Sequence, residues 1–189
     1  MTDATAYEPL LDQMLIDAET LQQRVIDLGA QISQDYSNDD NLLLICILRG
    51  GVVFLTDLMR ALAVRHAIDF MDVSSYGVGA RESSGQARIV MDLRTDITNR
   101  HVLLVEDIVD TGHTLSHVLN LLNTRAPASL KVCCLLDKHE RREVEVPIDY
   151  VGFQIPNEFV FGYGLDLDEY WRNLPFIGVV KSDVYLSTA

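Results

Sequence analysis

Residues 102–115 read VLLVEDIVDTGHTL. Four apolar residues run into Glu106, Asp107 and Asp110, and Thr111, Gly112, His113 and Thr114 follow. We read HVLLV (101–105) as a buried strand. Thr114 to Thr124 reads as a helix whose apolar face is Leu115, Val118, Leu119 and Leu122. Carboxylates this close repel one another, so a ligand that needs all of them is the simplest reason for the cluster. In an open parallel sheet, ligands bind beyond the carboxyl ends of the strands. The turn after Asp110 supplies a glycine and free N–H groups at a helix N-terminus, a setting that suits a phosphate. Acceptors for hydroxyls or a cation thus lie beside donors for an anion. A sugar phosphate needs that combination.

The neighbouring elements agree. LLLICIL (42–48) is a short apolar run bounded by polar residues, a buried strand, and GGVVFLTDLMRALAV (50–64) reads as a helix that opens directly after Arg49. Ala18, Leu21, Val25, Leu28 and Ile32 step by three and four along another helix. Further strands are predicted over 68–77, 87–93, 129–137, 149–155 and 176–180. Strands separated by helices, and apolar throughout rather than alternating, predict an α/β fold. Its mostly parallel, twisted sheet is flanked by helices on both faces. Residues 77–86, GVGARESSGQ, are polar and lie between two strands, so they read as a hairpin loop or a lid.

The whole chain narrows the function. Its 189 residues suit one domain, 1–189. A net charge of −13 disfavours nucleic acid and anionic membranes as partners, and no apolar run is long enough to span a bilayer. The N-terminus carries no signal core, which points to a cytoplasmic protein. Cys46, Cys133 and Cys134 lie inside apolar runs and read as buried thiols, the last two facing opposite sides of a strand. A single Asp-Thr-Gly argues against an aspartic protease, which needs two such aspartates. His113 and His117 are spaced as a zinc pair, but no third ligand is evident and they read as surface histidines. Helix capping alone explains one acid of the cluster and not three.

VLLVEDIVDTGHTL resembles the phosphoribosyl-diphosphate motif of the type I phosphoribosyltransferases. LLLICILRGGVVFLTDLMR, VSSYG (73–77), LLDKHERR and DYVGFQIPNEFVFGYGLDLDEYWRNLPFIGVV resemble, in order, further segments of the hypoxanthine-guanine branch of that family. The similarity runs from about Leu42 to Val180. It implies the type I fold, with a small hood formed by N-terminal residues and roughly 138–175. It also implies transfer of a phosphoribosyl group to hypoxanthine or guanine, with release of pyrophosphate.

By the same resemblance, Glu106 and Asp107 bind the ribose hydroxyls. Asp110, Thr111, Gly112, His113 and Thr114 hold the 5′-phosphate, and Asp110 is the catalytic base at purine N7. Arg49 and Gly50 form the pyrophosphate loop, often through a cis peptide, although many relatives carry Lys at the position of Arg49. Arg172 reaches the pyrophosphate. Lys138 donates to purine O6 from the rim of the site, Phe159 stacks on the ring and the main chain of Val160 reads its edge. Ser75 and Tyr76 begin a lid. Magnesium is the expected cofactor, held by Asp166 with Glu106 and Asp107. The implied partners are small-molecule substrates and further copies of the chain, as a dimer or tetramer. A xanthine-preferring transferase is the near rival. An RNA-binding regulator of the same fold is the distant one, and it needs a basic face that 15 Lys and Arg against 28 Asp and Glu do not supply.

Overall fold

The computed structural model describes residues 4–37, 41–75 and 87–187. The segments that read as buried strands form one six-stranded sheet. β1 (Leu11–Ile16) and α2 (Ala18–Asp35), which follows the short α1 (Ala4–Tyr7), lead into β2 (Leu42–Leu48) and α3 (Gly51–Ala61). Next come β3 (His66–Ser75), β4 (Ala87–Met91), β5 (His101–Val109), α4 (His113–Asn123), β6 (Ser129–Asp137) and β7 (Tyr150–Gln154). β8 (Val160–Phe161), β9 (Ile177–Val180) and α5 (Ser182–Ser187) close the chain. The large sheet runs β4-β3-β2-β5-β6-β7, parallel except for the edge strand β4.

The all-apolar strands are central because both of their faces are covered. Leu42, Leu44 and Cys46 pack with α2 and α3, whereas Leu43, Ile45 and Ile47 pack with α4. Each such Leu or Ile is fully or nearly fully buried and contributes about 1.5–3 kcal/mol. Cys133 and Cys134 divide between the same two layers as buried free thiols, as their adjacency requires. α2 starts where Asp17 accepts a hydrogen bond from the Thr20 amide at 2.8 Å, an N-cap that ends β1.

A second, three-stranded antiparallel sheet of order β1-β9-β8 lies beside the first. The sequence reading missed β1 and β8. LDQMLI is mostly exposed and does not alternate cleanly, and Val160–Phe161 is two residues long. Pairing with the apolar β9 makes them strands. The opening stretch also differs from its reading. β5 does not stop at Val105 but continues to Val109, because β6 pairs with it through Glu106↔Cys134 and Ile108↔Leu136. Glu106 and Asp107 are therefore successive residues near the end of one strand, Glu106 buried and Asp107 half-buried.

Candidate active site

The strand ends build two adjoining clefts. One, about 570 Å³, lies among Arg49, Gly50, Glu106, Asp107, Asp166 and Arg172. The other, about 540 Å³, lies among Asp110, Lys138, Arg141, Phe159, Val160 and Asp166. Ile108 and Asp166 line both, so a two-part ligand can bridge them.

In the first cleft the bond between Leu48 and Arg49 is cis, in the loop where the resemblance places it. Gly50 is the N-cap of α3, against β5. A Cβ at this position would overlap the Asp107 carboxylate, so the loop can lie over the acid only with glycine here. Gly50→Ala therefore displaces either the loop or Asp107. We expect it to lower kcat/KM at least about 10²-fold, the cost of misplacing reacting groups by an ångström, with the melting temperature nearly unchanged. Steady-state kinetics beside thermal unfolding check both halves.

Arg49 and Arg172 bring positive charge to this cleft, and acids occupy both. Arg49 Nη2 lies 2.5 Å from Glu169 Oε2, and Arg172 Nη2 lies 2.7 Å from Asp166 Oδ1. Arg172 Nη1 also donates to the Gly164 carbonyl, and the Glu169 amide donates to Asp166 Oδ2 at 2.9 Å. Arg49 is thus engaged by its side chain, a contact that the sequence left open. Glu169 has positive φ and was not anticipated.

Glu106 is 7% exposed. Burial, reinforced by the charge of Asp107, pushes its carboxyl well above the usual range. Burial also raises Asp107 to about 6, against the Ile108 N–H bond and the Arg172 charge, which favour the anion. The folded state thus holds this proton more tightly than the unfolded chain does. The stability that goes with that proton is complete below about pH 4 and is lost as pH rises through 6. In metal-free buffer at pH 7, Asp107→Asn is expected to raise folding stability, by roughly 1–2 kcal/mol after allowance for its partial exposure. Denaturant melts of the variant at pH 4 and pH 7 give the check, since the gain should vanish at the lower pH.

Among the described residues no three His, Cys, Asp or Glu side chains meet as a metal-binding group. Glu106, Asp107 and Asp166 therefore form no protein-only cage, and an ion here would take the rest of its shell from substrate and water. They are nonetheless hard oxygen donors facing one cleft, and Asp166 raises the proton affinity of Asp107. A divalent cation would relieve that repulsion, and such donors would suit magnesium, which keeps water and substrate oxygens in its shell.

The turn between the clefts is built for close approach. Gly112 has φ of 90° and begins α4, and a Cβ there would strike the Val144 carbonyl. The Glu143 and Val144 amides each donate to the Thr111 carbonyl at 3.0 Å. The first-turn amides of α4 have no helical acceptor and face outward with the positive end of the dipole. His113 Nε2 lies 2.9 Å from Glu143 Oε2, and His117 is exposed.

In the second cleft, Lys138 Nζ lies 3.8 Å from Asp110 Oδ2, and Arg141 Nε lies 3.1 Å from Asp110 Oδ1. Phe159 is 37% exposed over this cleft, and Val160 is buried in β8. Lys138 is not on the rim, as the sequence suggested, but 6% exposed. Its amide donates to the Val109 carbonyl, which draws it in at the end of β6. Burial lowers its proton affinity, and the Asp110 carboxylate works the other way. Ser75 ends β3, but its side chain, Tyr76 and the expected lid over 77–86 fall outside the described residues. Ser75 pairs with Ala87, so β3 and β4 flank that segment as an antiparallel pair.

Comparison with known proteins agrees with this architecture. The phosphoribosyl transferase domain family matches residues 13–168. The chain belongs to that family and is a pentosyl-transferring enzyme. It is 50% identical over 169 residues to the hypoxanthine phosphoribosyltransferase of Buchnera aphidicola subsp. Schizaphis graminum, covering 89% of this chain and 95% of that one. It is 48% identical over 187 residues to the hypoxanthine-guanine phosphoribosyltransferase of Mycobacterium avium, with coverage of 96% and 92%. A solved hypoxanthine phosphoribosyltransferase of Staphylococcus aureus superposes with a TM-score of 0.91 at 42% identity, over 98% of this chain and 99% of that one.

Proposed function

We propose that this enzyme transfers the 5-phosphoribosyl group from phosphoribosyl diphosphate to hypoxanthine or guanine. A purine nitrogen bonds to the anomeric carbon as the bond from that carbon to pyrophosphate breaks, and the purine gives up a proton. One observation carries the substrate class: an ammonium donor and a carboxylate lie 3.8 Å apart in one cleft, Lys138 beside Asp110. In a 6-oxopurine, O6 and N7 share one edge. Lys138 donates to O6 while Asp110 takes the proton at N7, Phe159 stacks on the ring and the Val160 main chain meets its far edge.

The 5′-phosphate lies on the amides of Asp110 to Thr114, its charge favoured by the helix dipole. Glu106 and Asp107 accept from the ribose hydroxyls and favour positive charge developing on the sugar. Pyrophosphate meets Arg172 and the main chain of Arg49 and Gly50, replacing Glu169 and Asp166 as anionic partner. Magnesium, held by Asp166 with Asp107 and Glu106, neutralises the diphosphate when bound. N-terminal residues and roughly 138–175, which include β1 and β8 of the small sheet, form the hood over the purine, and Ser75 and Tyr76 begin the lid. The three buried thiols accord with a cytoplasmic setting, and exposed Ile26 and Val52 with self-association as a dimer or tetramer.

The test is direct. The pure protein is incubated with magnesium, phosphoribosyl diphosphate and one each of hypoxanthine, guanine, xanthine and adenine, and the nucleotides are identified. Inosine and guanosine monophosphates are expected. Xanthosine monophosphate as the main product would move the assignment to the xanthine-preferring branch. No nucleotide from any base would overturn the reading.

A further inference from the structure

We propose that Arg142, which lines neither cleft, is a positioning residue that locks the purine end of the site to its phosphate end. The inference rests on the function proposed above. Arg141 and Arg142 are adjacent in the chain, but the structure separates their roles. Arg141 reaches the Asp110 carboxylate from a partly exposed position. The Arg142 side chain is 4% exposed, and so is nearly sealed in with its partner Asp137, at 6%. Nη2 of Arg142 donates to the Asp137 carboxylate, and Nε donates to the Asp110 carbonyl at 3.1 Å.

These two acceptors belong to different parts of the site. Asp137 ends β6 and immediately precedes Lys138. Asp110 follows β5 and opens the turn to Gly112. One planar fork therefore spans the ends of two neighbouring strands. Its stem also walls the turn: a Cβ on Gly112 would come within 2.9 Å of Arg142 Cδ. The next two residues complete the hold through their amides on the Thr111 carbonyl. A single buried guanidinium thus adds a side-chain tie between Lys138, Asp110 and the phosphate amides, beside the main-chain bonds that join β5 to β6. The spacing of these groups is the one a purine edge and a 5′-phosphate must match together.

A guanidinium presents several donors in one rigid plane, whereas an ammonium is a single point charge. Arg142→Lys keeps the opposite charge that buried Asp137 requires, but it cannot hold both acceptors in the same geometry. The 110–112 turn is then free to move relative to Lys138. Reacting groups misplaced by about an ångström lose on the order of 10²-fold in rate.

The experiment compares the full-length wild type with Arg142→Lys and Arg142→Gln. Turnover and both Michaelis constants are measured beside thermal unfolding of the same samples. We expect Arg142→Lys to be folded at the assay temperature. Its kcat should fall by about 10–10²-fold and its KM for phosphoribosyl diphosphate should rise about tenfold, with KM for hypoxanthine within about threefold of wild type. A pair that only stabilises the fold would lower the melting temperature and the active fraction and leave both KM values unchanged. That pattern overturns the proposal, as do wild-type constants in a folded Arg142→Lys or the failure of both variants to fold. A wild type that makes no nucleotide is a failure of the functional reading, and it is seen before any variant is compared.

Discussion

Asp110→Asn is expected to lower turnover with hypoxanthine by about 10²–10⁴-fold, the usual worth of a placed proton-transfer group. Asparagine keeps the size and much of the hydrogen-bonding shape of aspartate but cannot take the proton. The fold should tolerate the change, because the Asp110 side chain is 38% exposed and its main chain carries the structural bond to Arg142. Two cations flank it, Lys138 at 3.8 Å and Arg141 at 3.1 Å. Both cations lie at the carboxylate that is to meet purine N7. KM for phosphoribosyl diphosphate should change much less than kcat, since the phosphate is held by amides. Glu106→Gln acts on the sugar instead, and both binding and turnover should suffer. Near-normal turnover of Asp110→Asn, with pre-steady-state kinetics showing that chemistry limits the rate, would remove Asp110 from the role of base.

Adenine is expected to be refused relative to hypoxanthine by about 10⁴-fold or more in kcat/KM, because a site built around a polar partner strongly rejects an analogue that lacks it. Adenine carries an amino group where hypoxanthine has O6, so the Lys138 ammonium would face a donor with a donor. The burial of Lys138 sharpens this rejection, since little water can reach the site to repair the mismatch. It also changes the choice of variant. Truncation to alanine at a buried position leaves a cavity and removes a partner of Asp110, so lost activity would mix with lost stability. Lys138→Met fills the space without the charge. It should cut kcat/KM for hypoxanthine by about 10²-fold or more while leaving adenine near its wild-type value, which narrows the ratio. Competition between the two bases in one reaction measures that ratio directly. A ratio unchanged in a folded Lys138→Met would show that another group reads O6.

The two expectations differ in how far the sequence carried them. Asp110 was legible because it sits in a motif: an apolar strand, a pair of acids, then Asp-Thr-Gly-His-Thr. The spacing along one strand and one turn sets that geometry locally, and tertiary structure only had to supply the neighbours. The burial of Lys138 was not legible. Nothing around LLDKHERR distinguishes a rim lysine from an enclosed one. The difference arises where its amide joins β5 through Val109 and where residues 157–160 line the same cleft.

The sequence by itself determined the layers. Continuous apolar runs at 42–48 and 129–137 mark strands covered on both sides, and helical periodicities between them require parallel crossovers. Period-two alternation then assigned Cys133 and Cys134 to opposite cores before any coordinate was known. Tertiary structure alone decided how far β5 extends, since its last residues are strand only because β6 lies alongside. It also decided that β1 and β8 exist, and which charges meet. Arg49 finds Glu169 across the fold, while Arg172 finds Asp166 and Arg142 finds Asp137 across short turns, and of these pairs Arg142 with Asp137 is the desolvated one. The physical reason is the range of the forces involved. Burying an apolar face needs only the right spacing within one segment, which the chain displays in its own order. A desolvated charge is tolerable only beside an opposite charge or a donor. That partner comes from whichever segment the finished fold brings within about 4 Å.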